Sequence, residues 1–209
     1  MPRRIAFDTI GPIALPISLK DGRVVRIKLF VYRFPTNKIY YLAELGDLKR
    51  TQTPLVRIQS ACSFAHILNS RRCDDKAQFD NAMFRVANSR GGLIIYAWPH
   101  EGRGVGMWDH ARVYMEQDKG KDTVSSYETL GLTIDGRDYD DVVEILQTRG
   151  INKMRLLTNN PAKLEALRKQ GFQVQREPII VKLDYHNKSQ IEAKVRKLGH
   201  LIPISKQSG

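Results

Sequence analysis

Two short segments of the chain combine residue types that suit a phosphorylated ligand. The first is His100-Glu101-Gly102-Arg103-Gly104-Val105-Gly106, and the second, about thirty residues on, is Asp135-Gly136-Arg137-Asp138. The glycines let the backbone approach a ligand closely, and the helix start just beyond them offers free N–H groups to an anion. The spacing is not that of the dinucleotide fingerprint, and no Gly-Lys-Ser/Thr follows to make a P-loop. Alone, the first segment fits a ligand loop or a tight turn without function. Asp135 and Arg137 lie two apart and on an extended turn can point to one side, although alone they also fit a surface ion pair. A third segment, Leu156-Leu157-Thr158-Asn159-Asn160-Pro161-Ala162-Lys163, runs from a strand end into a helix start. Lys163 falls in the first helical turn, where a cation opposes the helix dipole. An anion at that helix start explains its place, and a solvated surface lysine is the alternative.

The chain has two cysteines, Cys62 and Cys73. Their C-x10-C spacing is not the C-x2-C or C-x4-C of closed zinc sites, so as isolated residues they read as buried thiols. The net charge of +12 is uneven: residues 1–50 carry +6, 51–100 carry +3, 101–150 carry −5 and 151–209 carry +8. Basic flanks suit nucleotides, nucleic acid or acidic lipid, or are a solvated surface. With no Lys/Arg block of five or more and no aromatic–basic interleaving, a nucleotide-sized anion fits better than a nucleic-acid strand. No apolar run reaches the roughly 18 residues of a membrane span. The N-terminus, Met1-Pro2-Arg3-Arg4-Ile5-Ala6, has no apolar signal core behind it. A cytoplasmic protein without a membrane partner or a structural disulfide is the expectation.

These residues need elements to position them. Short strands are expected at Ile13–Leu19, Val24–Tyr32 and Lys38–Leu45, with a hairpin turn at Asp21-Gly22, and a further strand ends at Arg57-Ile58-Gln59-Ser60. Phe79, Ala82, Met83, Val86 and Ala87 recur with helical spacing over 76–88. Leu93–Trp98 reads as a buried strand. Met107 to Lys119 is helical, with Trp108, Ala111, Arg112 and Met115 on one stripe. Asp138 caps a helix whose Val142, Val143, Ile145 and Leu146 face a core and which Gly150 closes. Met154–Thr158 is a strand, Pro161 starts a helix that Gly171 ends, and Phe172–Val174 and Pro178–Val181 are strands or extended. A last helix spans about Ser189 to Leu198. The alternation predicts an α/β layered domain with a mixed sheet flanked by helices, to which the first strands add sheet or a small barrel-like part. Residues 1–209 are read as one domain, with a strand-rich part at 1–56 and a catalytic part at 57–201.

Taken together, the segments resemble the GTP cyclohydrolase II family of riboflavin biosynthesis. The resemblance runs over roughly residues 57 to 201. It is carried by Glu101-Gly102-Arg103 with Gly106, by Arg112-x-Tyr114, and by Gln117-Asp118-x-Gly120-x-Asp122-Thr123-Val124. Leu130-Gly131 then leads into Asp135-x-Arg137-Asp138-Tyr139, followed by Arg155 to Pro161 with Lys163 and by Lys197-x-Gly199-His200-Leu201. The resemblance implies that Arg137 is the nucleophile on an α-phosphate, that Asp135 accepts its proton and that Tyr114 lies in the active site. It places Arg57, Ser60, Gln78, Glu101, Gly102, Arg103, Thr123, Thr158 and Lys163 on the nucleotide, with Glu101 suited to a guanine N–H edge. It also implies GTP as substrate with Mg²⁺, diphosphate release, and a homodimer.

The sequence departs from the family at its metal site. The family carries R-[IV]-H-S-E-C and then R-C-D-C, and its three cysteines bind the zinc that activates water to open the imidazole ring and release formate. Here the stretches are Arg57-Ile58-Gln59-Ser60-Ala61-Cys62 and Arg72-Cys73-Asp74-Asp75. Asp75 stands in the third cysteine's place, and Gln59 and Ala61 replace a histidine and a glutamate. Cys62, Cys73 and Asp75 would match the charge of three thiolates with a harder ligand, and His66 is a substitute donor. Phosphate chemistry does not need this zinc. Three readings follow: a GTP cyclohydrolase II type enzyme, with or without ring opening (the latter turning GTP into GMP); a homologue acting on another base, as in the branch that serves uracil catabolism; and a non-catalytic nucleotide-binding protein.

Overall fold

A computed structural model describes residues 7–182 and 185–202. Met1–Ala6, read above for a leader, lie outside the described residues. Asp8–Ser18 (β1) and Val24–Arg33 (β2) form an antiparallel hairpin, closed at Leu19–Arg23, where Gly22 takes φ 85°. Ile39–Gly46 (β3) pairs antiparallel with β2 and with Gly91–Ala97 (β5). Leu55–Ser60 (β4) runs parallel to β5, Lys153–Leu157 (β6) parallel to β4, and Gln173–Glu177 (β7) parallel to β6. The result is one seven-stranded mixed sheet in the order β1-β2-β3-β5-β4-β6-β7. The expected mixed α/β layering is what the chain adopts; the first strands extend this sheet and make no barrel.

Side chains alternate across the sheet as the two-residue period requires. Leu42, Val56, Ile58, Leu93 and Ile95 face one layer, and Ala43, Leu55 and Ile94 face the other. Asp140–Thr148 (α5) covers the first face with Val142, Val143, Ile145 and Leu146, helped by Leu164 and Leu167 of Pro161–Lys169 (α6). Asp75–Ala87 (α2) covers the second with Ala82 and Val86. The other helices are Ser63–His66 (α1), Gly106–Asp118 (α3), Thr123–Thr129 (α4) and Lys188–Leu198 (α7). Among the described residues no helix is long and apolar enough to cross a membrane.

Three expectations need correction. Pro178–Val181 is irregular and forms no strand. The cap position of α5 is Tyr139; Asp138 still serves the helix start by accepting the Asp140 N–H at 2.9 Å. The stripe read on α3 is its outer face: Trp108 is 81 % and Met115 61 % exposed. The buried face carries His110, Val113 and Glu116 instead. Helical periodicity locates a helix, but this one packs over a polar cavity, so its apolar stripe does not mark the inner side.

Candidate active site

The strands β5, β4 and β6 are parallel neighbours, and ligands of α/β sheets sit outside the carboxyl ends of such strands. Each of these ends delivers one of the segments singled out above. The chain leaves β4 at Ser60 into the Cys62 stretch, β5 into the glycine loop, and β6 into Thr158-Asn159-Asn160. The Asp135–Asp138 loop docks on the glycine loop by backbone contact. The Gly136 N–H donates to Arg103 O at 3.0 Å. Gly104, at φ 93°, lies so close that a Cβ there would meet the Gly136 carbonyl at 2.9 Å. Glycine is needed at 104 on both counts.

These segments line one cavity. Arg57, Ser60, Gln78, Gly102, Arg103, Thr123, Thr158 and Lys163 all line it, as do Tyr114, Arg137, Cys62, Cys73 and Asp75. Two expected site residues do not. Asp135 stands behind Arg137, and Glu101 is turned to the protein: its Oε1 contacts His110 Nδ1 at 2.6 Å, and its Oε2 accepts from the Ser63 N–H and Oγ–H, each at 2.8 Å. Both Glu101 oxygens are thus engaged without a ligand.

Five cations border the cavity, Arg57, Arg103, Arg137, Lys163 and Lys194, against one lining carboxylate, Asp75. Arg57 is buried and spread over three acceptors: Gln59 Oε1 at 3.0 Å, Leu157 O at 3.0 Å and Gln78 Oε1 at 2.8 Å. Gln59, one of the departures from the family pattern, therefore orients this guanidinium. Burial pushes Arg57 down to about 10. Arg137 donates through Nε to Asp135 Oδ1 at 2.7 Å, through Nη2 to Asp135 Oδ2, and through Nη1 to Ser60 Oγ at 3.3 Å. Burial alone would lower its pKa, but Tyr139 and Asp135 outweigh burial and raise it. Lys163 is only 4 % exposed and donates Nζ to Ile58 O at 2.8 Å. Burial, then Arg57 and Arg137, push it well below its ordinary value. The surface-lysine alternative is thereby excluded. The ensemble lacks negative charge, which a bound polyphosphate would supply.

The other end of the cavity holds the thiols. Cys62 and Cys73 are free and buried, with Sγ atoms 3.6 Å apart. Their sulfurs and an Asp75 oxygen all lie within 4.8 Å of one another. Burial would raise the Asp75 carboxyl, but Lys194, His66 and Arg57 hold it low. His66 is not part of this group: its Nδ1 contacts Tyr96 Oη at 2.8 Å and receives the Cys62 N–H at 3.3 Å. His110 stands with Cys62 instead. Sequence reasoning passed over His100, His110, Lys194 and His200 as lining residues. His110, Tyr114 and Gln117 share one face of α3 at helical spacing, a signal hidden by the outer stripe. Lys194 belongs to α7 and reaches Asp74 Oδ1 at 2.6 Å, a contact 120 residues apart in the chain. Burial pushes His100 and His200 to about 3, so both are neutral.

A family model described as GTP cyclohydrolase II matches residues 18–178. The chain belongs to the GTP cyclohydrolase II family. It is an enzyme of that type. It is 44 % identical over 152 residues to a protein named GTP cyclohydrolase-2 from Helicobacter pylori (strain Shi470), covering 73 % of this chain and 78 % of the relative. It is 37 % identical over 177 residues to the riboflavin biosynthesis protein RibBA of Aquifex aeolicus, covering 84 % of this chain and 44 % of the relative. With RibBA of Salinispora tropica it shares 40 % identity over 197 residues, covering 93 % and 48 %. The chain thus spans less than half the length of these two RibBA proteins.

The zinc of the GTP cyclohydrolase II family can be tested against the donors present. Tetrahedral zinc with bonds of about 2.3 Å sets its sulfurs about 3.8 Å apart. The 3.6 Å Sγ–Sγ separation and the 4.8 Å bound on the Asp75 oxygen fit that geometry.

Proposed function

We propose that this chain cleaves a purine nucleoside triphosphate, GTP, between its α- and β-phosphates and releases diphosphate. The observation that carries this reading is the cavity with five cations against one carboxylate, at the carboxyl ends of three parallel strands. Lys163, Arg57 and Arg103 neutralise the phosphate oxygens, with Mg²⁺ accompanying the triphosphate. Thr158, Thr123, Ser60 and Gln78 supply polar contacts, and Gly102 lets the backbone come close. Arg137 works on the α-phosphorus. As a cation it stabilises the developing charge. To act as nucleophile it must first pass a proton to Asp135, which bonds two of its nitrogens, and the substrate must offset the resting pair's preference for carboxylate and guanidinium. An Arg137 nitrogen then bonds to phosphorus as the P–O bond to diphosphate breaks, and water later cleaves the P–N bond.

Cys62, Cys73 and Asp75 would hold zinc at the base end, with Tyr114 beside them. When bound there, zinc would supply an activated water for opening the imidazole ring with loss of formate. The retained thiols favour a ring-opening enzyme over one that stops at the monophosphate. The guanine reading is preferred to the uracil one because the relatives are named for GTP cyclohydrolysis. We read the strand-rich part and residues 57–201 as one catalytic unit, built on a single sheet. We also propose a homodimer, for which the exposed Met107, Trp108 and Met115 of α3 are a candidate contact; light scattering should return twice the chain mass, and a monomer contradicts it.

Calorimetric titration tests the substrate. GTP is expected to bind more tightly than UTP by about tenfold or more, since a site built for one base's hydrogen bonds is left with unpaired groups by the other. Equal affinities would contradict the assignment.

A further inference from the structure

Beside the cavity lies a second cluster, which shares Cys62 with the proposed zinc set but whose Glu101 and His110 the proposed reaction does not use. Cys62 Sγ, a Glu101 carboxylate oxygen and a His110 ring nitrogen all lie within 4.8 Å of one another, and all three residues are buried. Glu101 is 6 % and His110 8 % exposed. The carboxylate is fixed by the two Ser63 hydrogen bonds. The imidazole packs against the Phe64 and Tyr114 rings, at centroid distances of 5.0 and 4.8 Å, and those two rings touch each other at 5.0 Å. Nδ1 and Oε1 lie 2.6 Å apart in a hydrogen bond, and a tetrahedral zinc held by both would part them to about 3.3 Å.

We propose that Cys62, Glu101 and His110 form a second divalent-cation site, joined to the Cys62–Cys73–Asp75 set through the shared sulfur. One sulfur, one nitrogen and one oxygen donor suit zinc or cobalt(II), whereas magnesium and calcium favour oxygen alone. A cation there requires Cys62 as thiolate, so binding releases the thiol proton. The proton between Nδ1 and Oε1 gives way to the metal. The rigid ring and carboxylate lower the cost of assembling the site, since neither has to be reoriented from solvent. The site also accounts for Glu101 facing inward from a loop that otherwise lines a nucleotide cavity. The inference does not depend on which nucleotide binds.

The test uses the full chain carrying Cys73→Ser and Asp75→Ala, which removes the other donor set and leaves Cys62 in place. After chelator treatment, cobalt(II) is added and followed by its visible spectrum and by equilibrium dialysis. We expect about one cobalt per chain, the count of a single site, with a thiolate-to-cobalt charge-transfer band. Adding His110→Gln, which can still hydrogen-bond Glu101 and keep the packing, should weaken binding by more than about 100-fold. Circular dichroism confirms that both proteins are folded. Absence of cobalt and of the band in the folded parent variant overturns the site. Unchanged affinity in the His110→Gln variant overturns it equally, and leaves the Glu101–His110 contact as a hydrogen bond only. Diphosphate release is not read here, so failure of this site and failure of the nucleotide reading remain distinguishable.

Discussion

Arg137→Ala is expected to lower diphosphate release from GTP by about 10³-fold or more, the range set by arginines that act on transferring phosphoryl groups. Arg137 is the lining cation whose geometry is set for chemistry rather than for binding alone. Its guanidinium is gripped on one side by Asp135 and steadied by Ser60, with the rest of the group toward the cavity. The loss should fall on kcat more than on KM, because Arg57, Arg103 and Lys163 remain to hold the phosphates. Arg137→Lys keeps the charge but not the fork that Asp135 orients, and should recover only a small part of the rate. Asp135→Asn should also be slow, since an amide cannot take the arginine proton. If the alanine variant cleaves GTP within a few-fold of the parent, Arg137 has no chemical role.

The second large effect separates the two ends of the cavity. Cys62→Ser removes the sulfur common to both donor sets. Zinc affinity should fall by more than about 100-fold, because hydroxyl is a poor replacement for thiolate and metal binding is coupled to thiol deprotonation. Formate release should be lost with the metal. Diphosphate release should persist, because Arg137, Lys163 and Thr158 lie at the other end and do not bond the thiols. Metal analysis together with separate assays of formate and diphosphate checks this. Loss of both products together would show that the two ends act as one unit.

Some of this was legible in the chain because the segments are contiguous. The glycine loop, Asp135-Gly136-Arg137 and Thr158–Lys163 each occupy a few residues, and each sits on a strand end or a helix start that local pattern reveals. The faces of α2 and α5 were legible for the same reason: each packs on an apolar sheet, so its periodicity marks its buried side. α3 broke the rule because its inner face meets a polar cavity. The short helices α1 and α4 carry too few residues to show a period. Lys194 and His200 reach the site only through the docking of α7, which Lys197 anchors to Asp122 at 2.6 Å. The orientation of Glu101 was not legible for a different reason: which way a loop carboxylate turns depends on His110 and Ser63, partners that residue type and spacing do not rank.

The most direct test of a phosphate-cleaving cavity is the product spectrum from GTP. Purified chain with GTP, Mg²⁺ and zinc, followed by phosphorus NMR, should show one free diphosphate formed for each nucleotide consumed, with no accumulation of GDP. Intact GTP, or cleavage that yields GDP and orthophosphate, would contradict attack at the α-phosphorus and with it the role assigned to Arg137.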